Sequence, residues 1–169
     1  YYLPKSALDG KYNSELYKMW SSKGFLTLTD SETTDYNYIQ NQIVYLYETF
    51  DIQGVFFDSW NAQMLVNNLT NLGLPMTAYS QSIGNFNKPT KEMERLVLSD
   101  KVRFDNNPIT RFCFDNVELK VDINGNSKPV GDHNAKKIDG VISMLNALGG
   151  YLSIVYGNQE AFVLPYKNS

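Results

Sequence analysis

Apolar residues in the middle of the chain recur in an order that predicts strand, helix and strand again. Residues 52–57 are mostly apolar, with β-branched and aromatic side chains typical of a buried strand. Residues 61–72 repeat leucine at helical spacing up to Gly73, and residues 74–79 form a second apolar run. Strand, helix and strand in so short a stretch predict a parallel, right-handed βαβ unit, and such units bind ligands beyond the carboxyl ends of their strands.

Helical periodicity and turn residues predict the remaining elements. Asn124-Gly125 between two alternating runs predicts a β-hairpin over residues 117–130. Residues 80–88 are polar and predict a surface loop, and Gly149-Gly150 is expected to end the last helix. Residues 25–29 predict a further strand, and the other predicted helices cover 9–22, 36–50 capped by Thr34 or Asp35, 89–99 and 136–148. The pattern therefore predicts an α/β domain over residues 1–150 and a tail, 151–169, without a clear role.

Composition narrows the possible functions only slightly. The chain has 169 residues, which fits one domain, and a net charge of −3, which lends no overall support to nucleic-acid binding but leaves room for a local basic groove. A single cysteine excludes an internal disulfide and fits a reducing compartment, and one cysteine with one histidine cannot build a closed zinc site. The first residues lack Met and resemble the end of a strand, so we expect the chain to be a fragment.

Asp58 and Asp139 form the candidate catalytic pair. Asp58 directly follows the apolar run 52–57, and Asp139 stands at the start of the last apolar helix. If these ends meet at one edge of a sheet, the two like charges need a cation between them or a raised pKa. Carboxylate oxygens suit Mg²⁺, so the pair is one half of a metal-dependent phosphodiester-cleaving site. The structural alternative is that Asp58 caps the following helix and Asp139 favours a helix start through its charge.

Other residues have both a structural and a functional interpretation. Gly140 costs a helix about 1 kcal/mol relative to alanine, which indicates a close approach by backbone or ligand. Lys136 and Lys137 are either a solvated pair or phosphate contacts beside the metal. His133, next to an aspartate, is either an exposed loop residue or a metal ligand or general base. Cys113, between two phenylalanines, is expected to be a small core residue.

A series of short motifs spans most of the chain, from about residue 2 to residue 148. They are Leu3-Pro4, Tyr17-x-x-Trp20-x-x-x-Gly24, Asp35-Tyr36, Phe57-Asp58-x-Trp60, Leu69-x-x-x-Gly73, Asn107-Pro108-Ile109, Asn116-Val117, Asp122-x-x-x-Asn126-x-x-Pro129 and Lys137-Ile138-Asp139-Gly140. No single motif is specific. In their order and spacing, however, they resemble the C-terminal nuclease domain of the large terminase subunit of tailed phages with HK97-like capsids.

The resemblance implies an RNase H-like fold, a three-layer α/β/α arrangement with a mixed sheet and a β-hairpin before the last helix. It implies an endonuclease that cuts concatemeric viral DNA during genome packaging with two Mg²⁺ or Mn²⁺ ions. Asp58 would bridge the metals as the second-strand carboxylate, Asp139 would complete one coordination shell, and Lys128, Lys136 and Lys137 would lie along the DNA backbone. Implied partners are double-stranded DNA, the phage portal and the small terminase subunit, with no membrane, in the host cytoplasm or that of a prophage-carrying bacterium.

The family's first catalytic aspartate lies on an opening strand, and we expect this chain to begin after that strand and to lack the packaging ATPase. That strand would pair with residues 52–57, so its absence would leave an edge that invites association. Two other functions stay open. One is a non-catalytic packaging module that docks to the portal or a partner subunit, which the acidic net charge favours. The other is an unrelated tyrosine-rich α/β binding domain, which the ordered motifs disfavour.

Overall fold

The computed structural model describes residues 1–9, 12–30, 32, 35–59, 62–131 and 136–157. The chain is an α/β protein, as predicted. Its strands are β1 (Tyr2–Pro4), β2 (Thr27–Thr29), β3 (Val55–Phe57), β4 (Met76–Ala78), β5 (Glu118–Val121) and β6 (Ser127–Val130). Its helices are α1 (Ser14–Ser22), α2 (Tyr36–Thr49), α3 (Gln63–Asn71), α4 (Ile83–Leu98), α5 (Pro108–Asp115) and α6 (Asp139–Gly157), with a 3-10 turn at Lys5–Leu8.

The strands within the described ranges pair as three two-stranded sheets. β1 pairs with β2 and β3 pairs with β4, both in parallel, and β5 pairs with β6 in antiparallel. The predicted βαβ unit is confirmed, since α3 joins β3 to β4 with Val55 opposite Met76. The predicted hairpin is confirmed as well. These strands do not join into the one mixed sheet that the resemblance implies, so the RNase H-like fold stays a prediction.

Two helix ends were predicted correctly from residues that lie next to them in the sequence. Asp35 caps α2, because its carboxylate accepts a hydrogen bond from the Asn37 N–H at 2.9 Å. The alternative cap, Thr34, lies outside the described residues. Gly73 follows α3 with a φ of +83°, a backbone conformation that favours glycine, and ends the helix as predicted. In the part of the chain that the structure describes, no helix is long and apolar enough to cross a bilayer.

The main core forms where α6 packs against α4 and α5. Leu145 of α6 and Phe86 of α4 are both 1% exposed. Cys113 is 3% exposed, so its prediction as a core residue is confirmed. The buried residues of this cluster are Trp20, Leu26, Phe86, Ile109, Cys113, Val141 and Leu145. The core therefore fixes the first half of α6, the half that begins with Asp139.

α4 begins within the segment 80–88 that the sequence predicts as a loop, so that prediction is wrong for most of it. Ser82 caps the helix by accepting a hydrogen bond from the Asn85 N–H at 3.3 Å. Pro89 lies inside the helix and has no N–H to donate to the Asn85 carbonyl. The Tyr79 hydroxyl donates to that carbonyl at 3.0 Å instead. A side chain just after β4 thus replaces the bond that proline removes, and the helix extends to both sides of it.

The predicted helix stop at Gly149-Gly150 is also wrong, because α6 continues to Gly157. Neither glycine has a positive φ. A Cβ atom on Gly149 would collide with the Tyr79 ring, and one on Gly150 would collide with the Phe56 ring. The glycine pair is therefore the place where the β3–β4 sheet lies directly against α6.

Candidate metal site

Asp58 stands at the carboxyl end of β3 and is exposed. The strand is held on β4 by two flanking hydrogen bonds, from the Val55 N–H to the Pro75 carbonyl at 2.9 Å and from the Tyr79 N–H to the Phe57 carbonyl at 2.8 Å. The N-cap of α3 is Ala62, with no side-chain cap. The structural alternative, in which Asp58 caps this helix, stays open, because residues 60–61 between them lie outside the described ranges. Its carboxylate lies at the strand end where parallel α/β units bind ligands.

Asp139 is the first residue of α6 and is exposed. A carboxylate in a first turn gains from the helix dipole, so its structural interpretation and its role as a metal ligand are both compatible with this position. Gly140 next to it is buried, and a Cβ atom there would lie 2.5 Å from the Tyr1 hydroxyl oxygen. The predicted close approach at Gly140 is confirmed, although a tyrosine hydroxyl makes it rather than backbone or ligand.

A cavity of about 260 Å³ opens beside Asp139. Its walls are mainly aromatic and aliphatic, and Lys137 is the basic residue among them. The pKa of the Cys113 thiol in the cavity wall is raised, mainly by burial. Hydrogen bonding to the Gly140 backbone partly offsets this rise in pKa, and the charge of Asp139 adds to it. The lining residues are Tyr1, Tyr2, Leu3, Tyr17, Trp20, Leu26, Ile109, Phe112, Cys113, Lys137 and Asp139. The carboxylate thus stands at the border between an apolar wall and solvent.

The three lysines predicted to contact DNA lie in different settings. Lys137 lines the cavity beside Asp139. The Lys136 ammonium donates to the Glu118 carboxylate of β5 at 2.9 Å, and the Lys128 ammonium donates to the Gln81 carbonyl at 3.2 Å. The structure therefore brings one of the three predicted lysines to the candidate carboxylate, while the other two contact protein acceptors around the hairpin.

Asp58 and Asp139 belong to elements that touch, because Phe56 of β3 lies against Gly150 of α6. Whether the two carboxylates share one site stays a prediction. Within the described ranges, no group of three or more His, Cys, Asp or Glu side chains could hold a metal ion. His133 lies outside those ranges. Two exposed carboxylates nevertheless fit Mg²⁺, which commonly binds through one or two carboxylates and keeps several waters.

Sequence reasoning missed α5, the helix next to Asp139. Its signal was present, because Asn107 accepts a hydrogen bond from the Ile109 N–H at 2.9 Å and Pro108 occupies the first helical position. α5 places Thr110 within 3.0 Å of the Tyr1 hydroxyl, 109 positions away in the sequence. No local pattern predicts a contact of that separation.

Fold and site together define an α/β domain with exposed carboxylates at a strand end and at a helix start. Over residues 1–153 the chain matches a family model described as the terminase large subunit, endonuclease domain, which places it in the nuclease class. The chain belongs to the nuclease-domain family of terminase large subunits.

Individual relatives agree with this assignment. The chain is 30% identical over 144 residues to the protein YmfN of Escherichia coli (strain K12), covering 83% of this chain and 31% of the relative. It is 24% identical over 153 residues to the large terminase subunit of Enterobacteria phage HK97, covering 88% of this chain and 30% of the relative. The chain therefore spans about a third of the length of these relatives.

A solved structure supports the fold. The crystal structure of the HK97 bacteriophage large terminase superposes with a TM-score of 0.76 at 22% identity, over 88% of this chain and 32% of that chain. The chain therefore shares its overall fold with part of that structure.

Proposed function

We propose that this domain is a metal-dependent endonuclease that cuts concatemeric viral DNA during genome packaging. We propose an RNase H-like fold for it as well. Membership of the terminase nuclease family supports the reaction class. The structural observation that carries the proposal is the position of Asp58, which is exposed and directly follows a parallel strand. Parallel α/β units bind ligands beyond the carboxyl ends of their strands, and a carboxylate at that place suits a divalent metal ion.

Asp58 and Asp139 would hold the metal ions, with Asp58 shared between them. Two Mg²⁺ or Mn²⁺ ions would activate a water molecule and stabilise the leaving oxygen of the cleaved strand. Both side chains are exposed, so a DNA backbone can reach them. Asp139 starts a helix whose first half is fixed in the core, which holds that carboxylate in a constant position.

The lysines would contact DNA phosphates with unequal importance. Lys137 is the one of the three that shares a cavity wall with Asp139. Lys128 and Lys136 already donate to protein acceptors, but an ammonium has three donors, so each can bind a phosphate as well. Such contacts give binding that weakens as salt rises and tolerates any sequence. We expect Lys137→Ala to weaken DNA binding more than either of the other alanine variants.

Nicking of plasmid DNA by a longer protein that carries this domain together with the residues upstream of it tests the proposal. Asp58→Ala and Asp139→Ala should each abolish cleavage that depends on Mn²⁺ or Mg²⁺, because each removes a metal ligand. Melting temperatures in EDTA should hold or rise, since removing one of two like charges relieves repulsion without metal. The matched control is Asp51→Ala, at an exposed aspartate outside the candidate site, which should keep activity.

A large fall in melting temperature for both variants with cleavage retained would assign the two aspartates structural roles. The alternative function is a non-catalytic packaging module that docks to the portal or a partner subunit in the host cytoplasm. The net charge of −3 favours it. That alternative predicts binding to those partners and no metal-dependent cleavage by the unaltered longer protein.

A further inference from the structure

We propose that Tyr1 and Thr110 are positioning residues that hold Asp139 in place through the first turn of α6. The inference deepens the proposed function and rests on it, because it concerns the accuracy with which Asp139 is presented to a metal ion. A ligand held within about 0.5 Å by packed neighbours binds metal better than one on a loose helix end. Four contacts hold the start of α6 and the phenol that lies against it.

The first contact is the Tyr1 hydroxyl on Gly140. A Cβ atom at this glycine would lie 2.5 Å from the hydroxyl oxygen and 3.2 Å from two ring carbons, so the phenol occupies the space of the missing side chain. Gly140 is the second residue of α6 and follows Asp139 directly. A displacement of the phenol therefore lets the first turn of α6 shift together with its carboxylate.

The second contact fixes the phenol. Its hydroxyl oxygen lies 3.0 Å from Thr110 Oγ1, within hydrogen-bond distance. Tyr1 is 39% exposed, whereas Thr110 is 6% exposed and belongs to α5, whose Ile109 and Cys113 lie in the core. Thr110 is thus the buried partner and Tyr1 the more exposed one, and the hydrogen bond ties the phenol to α5.

The third and fourth contacts come from α5 directly. The Asn116 side-chain amide, at the end of α5, donates to the Lys137 carbonyl at 3.3 Å. Cys113 packs in the same buried cluster as Val141 of α6. α5 therefore supports the segment before Asp139 and the turn after it, and the Tyr1–Thr110 pair supports the point between them.

The Tyr1 hydroxyl is close enough to Asp139 to respond to its charge. Burial raises the pKa of this hydroxyl, and the carboxylates of Asp105 and Asp139 raise it as well. The hydroxyl therefore stays protonated at neutral pH, and the positioning role does not depend on its ionisation.

The test compares single-oxygen deletions at both ends of the hydrogen bond in the full chain. The variants are Tyr1→Phe, Thr110→Val and the double variant, with Thr110→Ser as the conservative rescue. The control is Thr90→Val, because Thr90 is buried to a similar extent and its hydroxyl has no hydrogen-bond partner among the described residues. The readouts are Mn²⁺ affinity, from the electron paramagnetic resonance signal of free Mn²⁺, the melting temperature in EDTA and the Mn²⁺ concentration that half-saturates nicking.

We expect each single variant to weaken Mn²⁺ binding by up to about tenfold, the effect of losing one hydrogen bond. The double variant should be no weaker than either single variant, because both remove the same bond. Thr110→Ser and Thr90→Val should bind Mn²⁺ like the unaltered chain. A purely structural role predicts lower melting temperatures with unchanged Mn²⁺ affinity, and that result would overturn the inference.

Asp139→Asn separates failure of the inference from failure of the proposed function. If this variant loses Mn²⁺ affinity while Tyr1→Phe and Thr110→Val both retain it, Asp139 binds metal but needs no positioning by this pair. If Asp139→Asn binds Mn²⁺ normally, the metal site itself is wrongly assigned and the positioning role falls with it. Because Tyr1→Phe removes one oxygen from a partly exposed side chain, the test does not depend on the folding of Thr110→Val.

Discussion

At the scale of residues, three glycines of α6 mark the places where other side chains lie directly against the helix. The Tyr1 hydroxyl occupies the space beside Gly140, and the rings of Tyr79 and Phe56 occupy the space beside Gly149 and Gly150. Each contact would be blocked by a methyl group. The glycines of α6 therefore carry a conformational cost but allow close packing against Tyr1 at the start of the helix and against the β3–β4 unit further along.

Replacing one of these glycines by alanine should lower the free energy of unfolding, whereas the same change at a helical glycine with space for a Cβ atom should not. Gly150→Ala should lower the free energy of unfolding by about 1–3 kcal/mol, because its Cβ overlaps the Phe56 ring. Gly84→Ala, in α4, should be neutral or raise it by up to about 1 kcal/mol, because nothing lies within 4 Å of a Cβ there. Urea unfolding of both variants checks this, and equal effects at the two positions would contradict the packing described for α6.

The sequence predicted the close approach at Gly140 but not the one at Gly149-Gly150. A glycine pair after an apolar helical run indicates a helix end when its backbone turns to positive φ. The same pair indicates close packing when a ring lies on it. Whether the pair ends the helix or packs closely depends on contacts from Tyr79 and Phe56, and the sequence around residue 149 does not reveal those contacts.

At the scale of elements, the hairpin turn is organised by Asp122. Its carboxylate accepts hydrogen bonds at 2.9 Å from the backbone N–H groups of Asn124 and Asn126 and from the Asn126 side-chain amide. Gly125 has a φ of +76°, a conformation that glycine adopts without strain. These local interactions explain why the hairpin could be predicted from sequence.

The Asp122 turn should make stability depend on pH in a defined direction. Hydrogen bonds from Asn126 lower the pKa of this carboxylate. Its contribution is therefore present above the unfolded pKa of about 3.9 and is lost as pH falls through the lower folded pKa. Asp122→Ala should have a lower melting temperature than the unaltered chain at pH 7, and the difference should shrink below about pH 3.9. A difference that is constant from pH 7 to strongly acidic conditions would rule out the charged hydrogen bonds as its cause.

The start of α4 and the whole of α5 were not predicted from the hydrophobic pattern of the sequence. Pro89 indicates a helix start, but the helix continues before it because Tyr79 satisfies the carbonyl that proline leaves without a donor. α5 has only 8 residues, so its helical periodicity is weak, and its cap signal at Asn107 carries the information. In both cases the missing information was a contact or a cap rather than a hydrophobic pattern.

At the scale of the whole molecule, β3 pairs on one side with β4 and faces an apolar groove on the other. The groove has a volume of about 340 Å³ and lies between α2 and α6. Val55 and Phe57 bond to the β4 side, so the Phe56 N–H and carbonyl point to the other edge. The residues along the groove are Ile43, Leu46, Ile52, Gln53, Gly54, Val55, Phe56, Ala147, Tyr151 and Ile154.

An apolar strand edge of this kind should pair with another strand. We expect this 169-residue chain to associate with itself as its concentration rises, measured by light scattering. Hydrogen exchange should show the Phe56 amide becoming protected over the same concentration range, while the Val55 amide, bonded to Pro75, is protected throughout. A monodisperse monomer with a protected Phe56 amide would show that the edge is already covered within the chain, and would contradict both this prediction and the RNase H-like arrangement.

The proposed metal site holds metal between Asp58 and Asp139, and so joins two elements that are far apart in the sequence. Sequence alone identified each carboxylate by its place at an element end, but their distance depends on how α6 crosses β3. A crystal structure with Mn²⁺, with the metal located by anomalous scattering, measures it directly. We predict Mn²⁺ bound to both side chains, with carboxylates about 4–8 Å apart, because metal ions in such sites share ligands. Carboxylates more than about 12 Å apart, with no metal between them, would contradict the account.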